Sequence, residues 1–176
     1  IGLLRLKYKI KFSYNFIRKA IKNLKVKLLS NKNLLSDDVA LSAAIVAKDK
    51  KIRDIVHKFQ KKCAYKPPRQ FYGSVLDGRD IASIQVKDAT FKFYITASIK
   101  TRATRRFKEY KSLKKQISFK EVLKSIKKRD NSDYNRRISP LKKTKDSVLI
   151  NTSNLTKSAC FFKIKKIIEE KIKING

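Results

Sequence analysis

Residues 73–83 read GSVLDGRDIAS, and the reading of this stretch decides the fold. The apolar run Ser74-Val75-Leu76 stops abruptly at Asp77-Gly78-Arg79-Asp80. We read a short strand that ends in a charged turn. In open parallel sheets, ligands bind beyond the carboxyl ends of the strands, so Asp77 and Arg79 become candidate site residues. Gly78 allows a tight turn or a close backbone approach to a ligand. A guanidinium in this place suits a phosphate, and a carboxylate suits a sugar hydroxyl or a hydrated cation. The same four residues also make an ordinary turn with a local salt bridge, and taken alone they leave both readings open.

Downstream the pattern alternates. Phe91 to Thr96, FKFYIT, is aromatic and β-branched and predicts a second strand. Ser98 is placed to cap a helix from 99 to about 110, and Ser118-Phe119-Lys120-Glu121 is a capping box before another helix. Ser147–Ile150 predicts a third strand, and Thr152 or Ser153 a cap for a final helix holding Leu155, Phe162 and Ile168. Strands alternating with helices indicate an α/β fold with a parallel sheet.

Upstream, residues 3–24 carry apolar residues at loosely helical spacing. KVKLLSNKNLLSDD (25–38) alternates and turns at Asn31-Lys32-Asn33, which suggests a small hairpin. Ser36 followed by two aspartates is a helix start. Ile52, Ile55, Val56, Phe59 and Cys63 fall at i, i+3, i+4, i+7 and i+11, one apolar stripe of an amphipathic helix. AYKPPRQFYG (64–73) ends it in a loop.

The chain has 176 residues, enough for one domain with a core, and a formal net charge of +32 from 46 basic and 14 acidic residues. Such charge raises nucleic acid as a partner. The lysines, however, are spread along the whole length, as in a solvated surface. Seven arginines (79, 102, 105, 106, 129, 136, 137) fall within residues 79–137, and clustered arginine suits planar recognition of phosphate. The two cysteines, Cys63 and Cys160, have no metal spacing, and the single histidine, His57, has no catalytic partner in sight. No stretch reaches the length of a membrane span and no signal peptide is visible, so a cytoplasmic protein is expected. Methionine is absent, so we read the chain as a fragment that has lost its N-terminus.

Three constellations carry chemistry. The first is Asp77-Gly78-Arg79-Asp80. In KKRDNSDYNRRISP (127–140), Arg129, Asp133 and Arg136 stand at i, i+4 and i+7, on one face if the helix continues. They form either an exposed salt-bridge ladder, contributing about 0.3–0.5 kcal/mol per pair, or a phosphate grip with an aspartate for a hydroxyl. In TRATRRFKEY (101–110), Arg102, Arg105 and Arg106 are either a basic helix face or a cluster that neutralises charge on a transferred phosphoryl group. Gly73 and Gly78 have the spacing of a phosphate loop, but Arg79-Asp80 replaces the required Lys-Ser/Thr.

In order, spacing and residue type, VLDGRDIASIQVKDATFKFYITASIKTRATRRF, IKKRDNSDYNRRISPL and DSVLINTSNLT resemble segments of bacterial cytidylate kinases. The match runs from about residue 36 to the C-terminus and is most specific between 75 and 141. The resemblance implies one cytidylate kinase domain over 1–176, a three-layer P-loop nucleoside monophosphate kinase. It would have a parallel sheet, a small substrate-binding arm at 25–70 and a helical lid region at 99–137. The N-terminal strand and P-loop are missing from these residues. The implied activity moves the γ-phosphoryl group of ATP to CMP or dCMP, with Mg2+. By matching position, Arg53, Arg79 and Asp80 contact CMP, Arg129 and Arg136 hold its phosphate, and Asp133 holds its sugar. Asp77 serves as catalytic carboxylate through the metal's water, and Arg102, Arg105 and Arg106 close over the phosphates. No ATP P-loop residue is assigned within the chain. The sequence departs from the family at Ala44, usually a serine, and at Ile1 and Leu6, where a hydroxyl residue and an arginine are usual. The chain alone is expected to be inactive and monomeric, with no specific nucleic acid and no membrane as partners. Two other readings stand beside this one: a basic nucleic-acid-binding or ribosome-associated module, and a decayed kinase relic.

Overall fold

The computed structural model describes residues 1–8, 13–24, 31, 34, 36–67 and 69–175. They form two compact units, Ile1–Leu76 and Asp77–Gly176.

The first unit is helical: α1 (Gly2–Lys7), α2 (Tyr14–Lys22), α3 (Asp37–Val46) and α4 (Lys50–Tyr65). Three caps explain where helices begin. Ser13, Ser36 and Asp49 accept from the backbone N–H of Phe16, Val39 and Ile52, respectively, as N-cap residues do. The backbone N–H of Ile52, followed by the Tyr14 hydroxyl, which donates to Oδ2 at 2.9 Å, holds the Asp49 carboxyl below its ordinary pKa. The apolar stripe expected on α4 meets the core at Ile52, Ile55 and Val56, while Cys63 is exposed. Ile17, Val46 and Ile52 are buried together, with Ile1, Ile21, Ile55 and Val56 packed against them. Helix α1 packs on α3 and α2 on α4. Gly2 permits the first contact, because a Cβ there would lie 2.6 Å from the Val39 carbonyl oxygen. Of the hairpin expected over residues 25–38, residues 25–30, 32, 33 and 35 lie outside the described residues.

The second unit holds β1 (Phe93–Thr96), α5 (Ile99–Ser112), α6 (Phe119–Asn135), β2 (Val148–Asn151) and α7 (Lys157–Asn175), with a π-helical turn at Ile81–Gln85. β1 and β2 pair in parallel, Phe93 opposite Val148 and Thr96 opposite Asn151. This is the α/β arrangement with a parallel sheet, two-stranded among the described residues. Ser98 caps α5, and the Ser118–Glu121 capping box of α6 is complete. Ile150, Ala103 and Val122 are essentially inaccessible. Phe107 of α5 meets Phe119 of α6 edge-on at 5.8 Å.

Three expectations are corrected. Ser74–Leu76 is not a strand; Val75 is fully exposed, and a strand needs a ladder partner for its backbone groups. The last helix is capped by Thr156, whose Oγ1 accepts from Ala159 N at 3.1 Å, so Leu155 lies before the helix rather than in it. Helix α6 ends at Asn135, and Arg136 has extended backbone (ψ 136°) as its C-cap.

Candidate functional site

The turn after Leu76 and the end of α6 build one cluster in the second unit. Arg79 donates from Nε to Oδ2 of Asp133 at 2.8 Å. Arg136 approaches the other carboxylate oxygen at 3.7 Å, and Arg129 lies at 4.0 Å. Three guanidiniums therefore surround one carboxylate. The Asp133 side chain is 16% exposed and that of Arg129 is 73% exposed. The surplus positive charge faces water from Arg129, where an anion could meet it.

Local backbone explains how Arg136 remains in the cluster although the helix has ended. Its Nε donates to the Ser139 carbonyl. Ser139 is buried in the left-handed region (φ 54°), and Leu141 N donates to the Asp133 carbonyl at 2.8 Å. The chain folds back over the helix end and holds Arg136 one turn from Asp133.

Asp80 is buried and starts the π-helical turn, its carbonyl accepting from Ile84 N and Gln85 N. Asp77 is exposed. Among the described residues no three of His, Cys, Asp and Glu gather to hold a metal. Magnesium bound through its own waters needs only one or two carboxylates, a requirement the exposed Asp77 fits.

The α5 arginines are each engaged. Arg102 forks onto Asp130 of α6 at 2.8 and 2.7 Å and donates from Nε to the Ala97 carbonyl. Arg105 ties α5 to the segment after β2, donating to the Thr152 carbonyl at 2.6 Å and the Leu155 carbonyl at 3.1 Å. Arg106 pairs with Glu109 at 2.7 Å and lies over the Tyr110 ring. Arg53 belongs to the first unit, on α4, and donates to the Ala47 carbonyl at 3.4 Å.

The structure thus gathers Arg79, Arg129, Asp133 and Arg136, and holds Arg102, Arg105 and Arg106 in contacts of their own. Sequence reasoning missed Asp130, the partner of Arg102, and the phenol pair Tyr94–Tyr134, whose hydroxyls are 2.9 Å apart. Asp130 and Tyr134 stand at i, i+4 on α6, and that spacing was the available signal. Burial first, and then the hydrogen bond to Tyr134, push the Tyr94 phenol up to about 12.

Comparison with known proteins shows which family the chain resembles. The profile described as Cytidylate kinase matches residues 2–170. The cytidylate kinase of Clostridium botulinum (strain Loch Maree / Type A3) is 43% identical over 136 residues, 77% of this chain and 58% of that protein. Those of Clostridium tetani (strain Massachusetts / E88) and Ureaplasma urealyticum serovar 10 are each 39% identical, over 78% and 80% of this chain and 57% and 60% of their own lengths. The chain therefore spans a little under three-fifths of the relatives it matches.

Proposed function

This chain belongs to the cytidylate kinase family, and from that premise we propose that it is the CMP-holding body of a P-loop nucleoside monophosphate kinase. The whole protein would have the three-layer α/β architecture and act as a cytoplasmic monomer. It transfers the γ-phosphoryl group of ATP to CMP or dCMP. A phosphate oxygen of CMP bonds to the γ-phosphorus, the bond from that phosphorus to the bridging oxygen breaks, and ADP leaves with CDP or dCDP as the other product.

The observation that carries this reading is the Asp133 carboxylate ringed by Arg79, Arg129 and Arg136. Planar guanidiniums suit a phosphate dianion, and charge-assisted hydrogen bonds contribute roughly 1.5–3 kcal/mol each. Asp133 accepts from a sugar hydroxyl and, by its pairs, keeps the arginines extended before substrate arrives. Asp80 adds a further contact to CMP. Arg102, Arg105 and Arg106 sit on the lid helix and counter phosphate charge. Magnesium, when bound, would neutralise charge on the ATP phosphates, with Asp77 holding it through water.

The test is nucleotide binding by the 176-residue chain, measured by calorimetry with CMP, AMP, GMP and UMP. CMP is expected to bind at least about tenfold more tightly than the others, a difference of about 1.4 kcal/mol. Equal affinity for all four would reject the reading. Residues 1–176 contain no G-x4-G-K-[ST] loop. ADP release by this polypeptide alone is therefore expected to show no dependence on CMP, and robust turnover would reject the assignment of ATP-holding to such a loop.

A further inference from the structure

Within the first unit, α2 and α4 flank an open groove of about 700 Å³. Its floor is apolar: Ile21 from α2, and Ile55 and Phe59 from α4. Ile21 and Ile55 also pack on the buried cluster, so the floor is fixed by the core beneath it. The rims are cationic on both sides. Arg18 and Lys22 come from α2, Lys51, Lys58 and Lys62 from α4, and Lys66 is the C-cap of α4, with Asp54 the one carboxylate in the lining.

Spacing distinguishes this groove from a merely lysine-rich surface. Lys51, Lys58 and Lys62 recur at seven and four residues, so they stand in one row along α4, about 10 and 6 Å apart. From Lys51 to Lys62 the row runs about 16 Å, and Lys66 follows it at the C-cap. Arg53 is about half a helical turn away from the centre of this row, so the groove lies on a different face of α4 from Arg53.

We propose that this groove docks an acidic amphipathic helix of a partner protein. An apolar stripe on such a helix fills the space over Ile21, Ile55 and Phe59, the helix-in-groove mode of recognition. Carboxylates at four-residue spacing on its flanks then match the lysine row of α4 on one side and Arg18 and Lys22 on the other. A ligand with a single anionic head would leave most of these cations unmatched. The partner carries the opposite sign of charge, which steers encounter and fixes register more than it adds affinity. At the far end Ser74 lines the groove, and Phe71, Tyr72 and Val75 around it are exposed, adding apolar surface on that segment.

Cys63 lines the groove and is an exposed free thiol, which gives a local readout. The test uses the 176-residue chain carrying Cys160→Ser. The probe is a fluorescent helical peptide with Leu on one face and Glu at four-residue intervals on its flanks. Saturable one-to-one binding is expected, at least about tenfold tighter than for a scrambled peptide of equal composition, and saturating peptide slows alkylation of Cys63. The exposed pair Lys58→Glu/Lys62→Glu weakens binding about tenfold. The pair Lys120→Glu/Lys124→Glu on α6, an equal change of net charge, leaves it within about twofold of the parent. Absence of binding, equal binding of the scrambled peptide, equal losses in both pairs, or alkylation of Cys63 indifferent to the peptide each overturns the proposal. So does protection of Cys63 by dodecanoate where the peptide gives none, which would assign the groove to a single-chain anion.

Discussion

Arg79 and Asp133, 54 residues apart in sequence, share a hydrogen bond of 2.8 Å. This contact fastens the charged turn after Leu76 to the last turn of α6. It also separates the arginines by role. Arg129 is mostly exposed and stands 4.0 Å from Asp133, so Arg129→Ala is expected to change folding stability by no more than about 0.5 kcal/mol. Its loss of CMP affinity should be tenfold to a hundredfold, about 1.5–3 kcal/mol. Arg136→Ala should lower CMP affinity similarly and also lower the melting temperature, because Arg136 holds the Ser139 carbonyl. Calorimetric CMP titrations beside thermal melts separate the two. A collapsed melt for Arg129→Ala with normal CMP binding would make the cluster a structural ladder.

Gly2 is where α1 comes nearest to α3. A Cβ added there would lie 2.6 Å from the Val39 carbonyl oxygen and 2.8 Å from Ala43 N, both backbone atoms that a rotamer change cannot move. Gly2→Ala is expected to cost about 1–3 kcal/mol, the usual range for overpacking. Gly78→Ala meets only the Ile81 side chain, at 2.8 Å, and should cost less. Hydrogen exchange in α1 and α3 checks the first, and an unchanged exchange pattern would show that the helices separate freely.

Much of the second unit was legible because its signals are local. Ser98 and the Ser118–Glu121 box are capping chemistry contained within four residues, and FKFYIT has the composition of a strand. Ser74–Leu76 misled because an apolar run specifies burial without naming its partner, and Val75 lies exposed. The Arg129, Asp133, Arg136 spacing was visible, but not that Arg79 would complete the ring or that Asp130 would hold Arg102. Both depend on contacts across 54 and 28 residues, which no short periodicity encodes. The groove of the first unit was hidden for a related reason: its lysines look like ordinary solvated charge until α2 supplies the opposite rim.

Gln85 ends the π-helical turn with its side chain buried, and neither amide atom has a hydrogen-bond partner among the described residues. A buried polar group left unmatched costs about 1–3 kcal/mol. Gln85→Leu, close in volume, is therefore expected to raise the unfolding free energy by about 1–2 kcal/mol. Chemical denaturation measures it directly. A destabilised variant would mean that the amide is satisfied in solution.

Lys92, just before β1, bonds to Asp146, just before β2. That bond first, and then the Thr144 hydroxyl, hold the Asp146 carboxyl down at about 2. A lowered carboxyl pKa means the folded state favours the ionised form. The contribution is complete above the ordinary value near 3.8 and is lost as pH falls through about 2. Side-chain NMR shifts should place the Asp146 midpoint near 2, and Lys92→Gln should return most of it toward the ordinary value. A midpoint unmoved in that variant would assign the shift to Thr144 and the backbone instead.

Tyr94, on β1, provides the alkaline counterpart. Burial first, and then the Tyr134 hydroxyl, raise its phenol to about 12 from the ordinary 10. Here the folded state favours the neutral form, because the ionised phenol would lose solvation and sit near Asp130 and Tyr134. The contribution to stability is therefore complete below pH 10 and is lost as pH rises toward about 12. The ultraviolet tyrosinate titration should show a late-titrating phenol, identified as Tyr94 by its loss in Tyr94→Phe. Tyr134→Phe removes the hydrogen bond and leaves the burial, so the lagging midpoint should fall only part of the way to 10. Full return to 10 would show that the pairing with Tyr134, rather than burial, carries the shift. A lag unchanged by Tyr134→Phe would show that the two phenols do not share a hydrogen bond in solution.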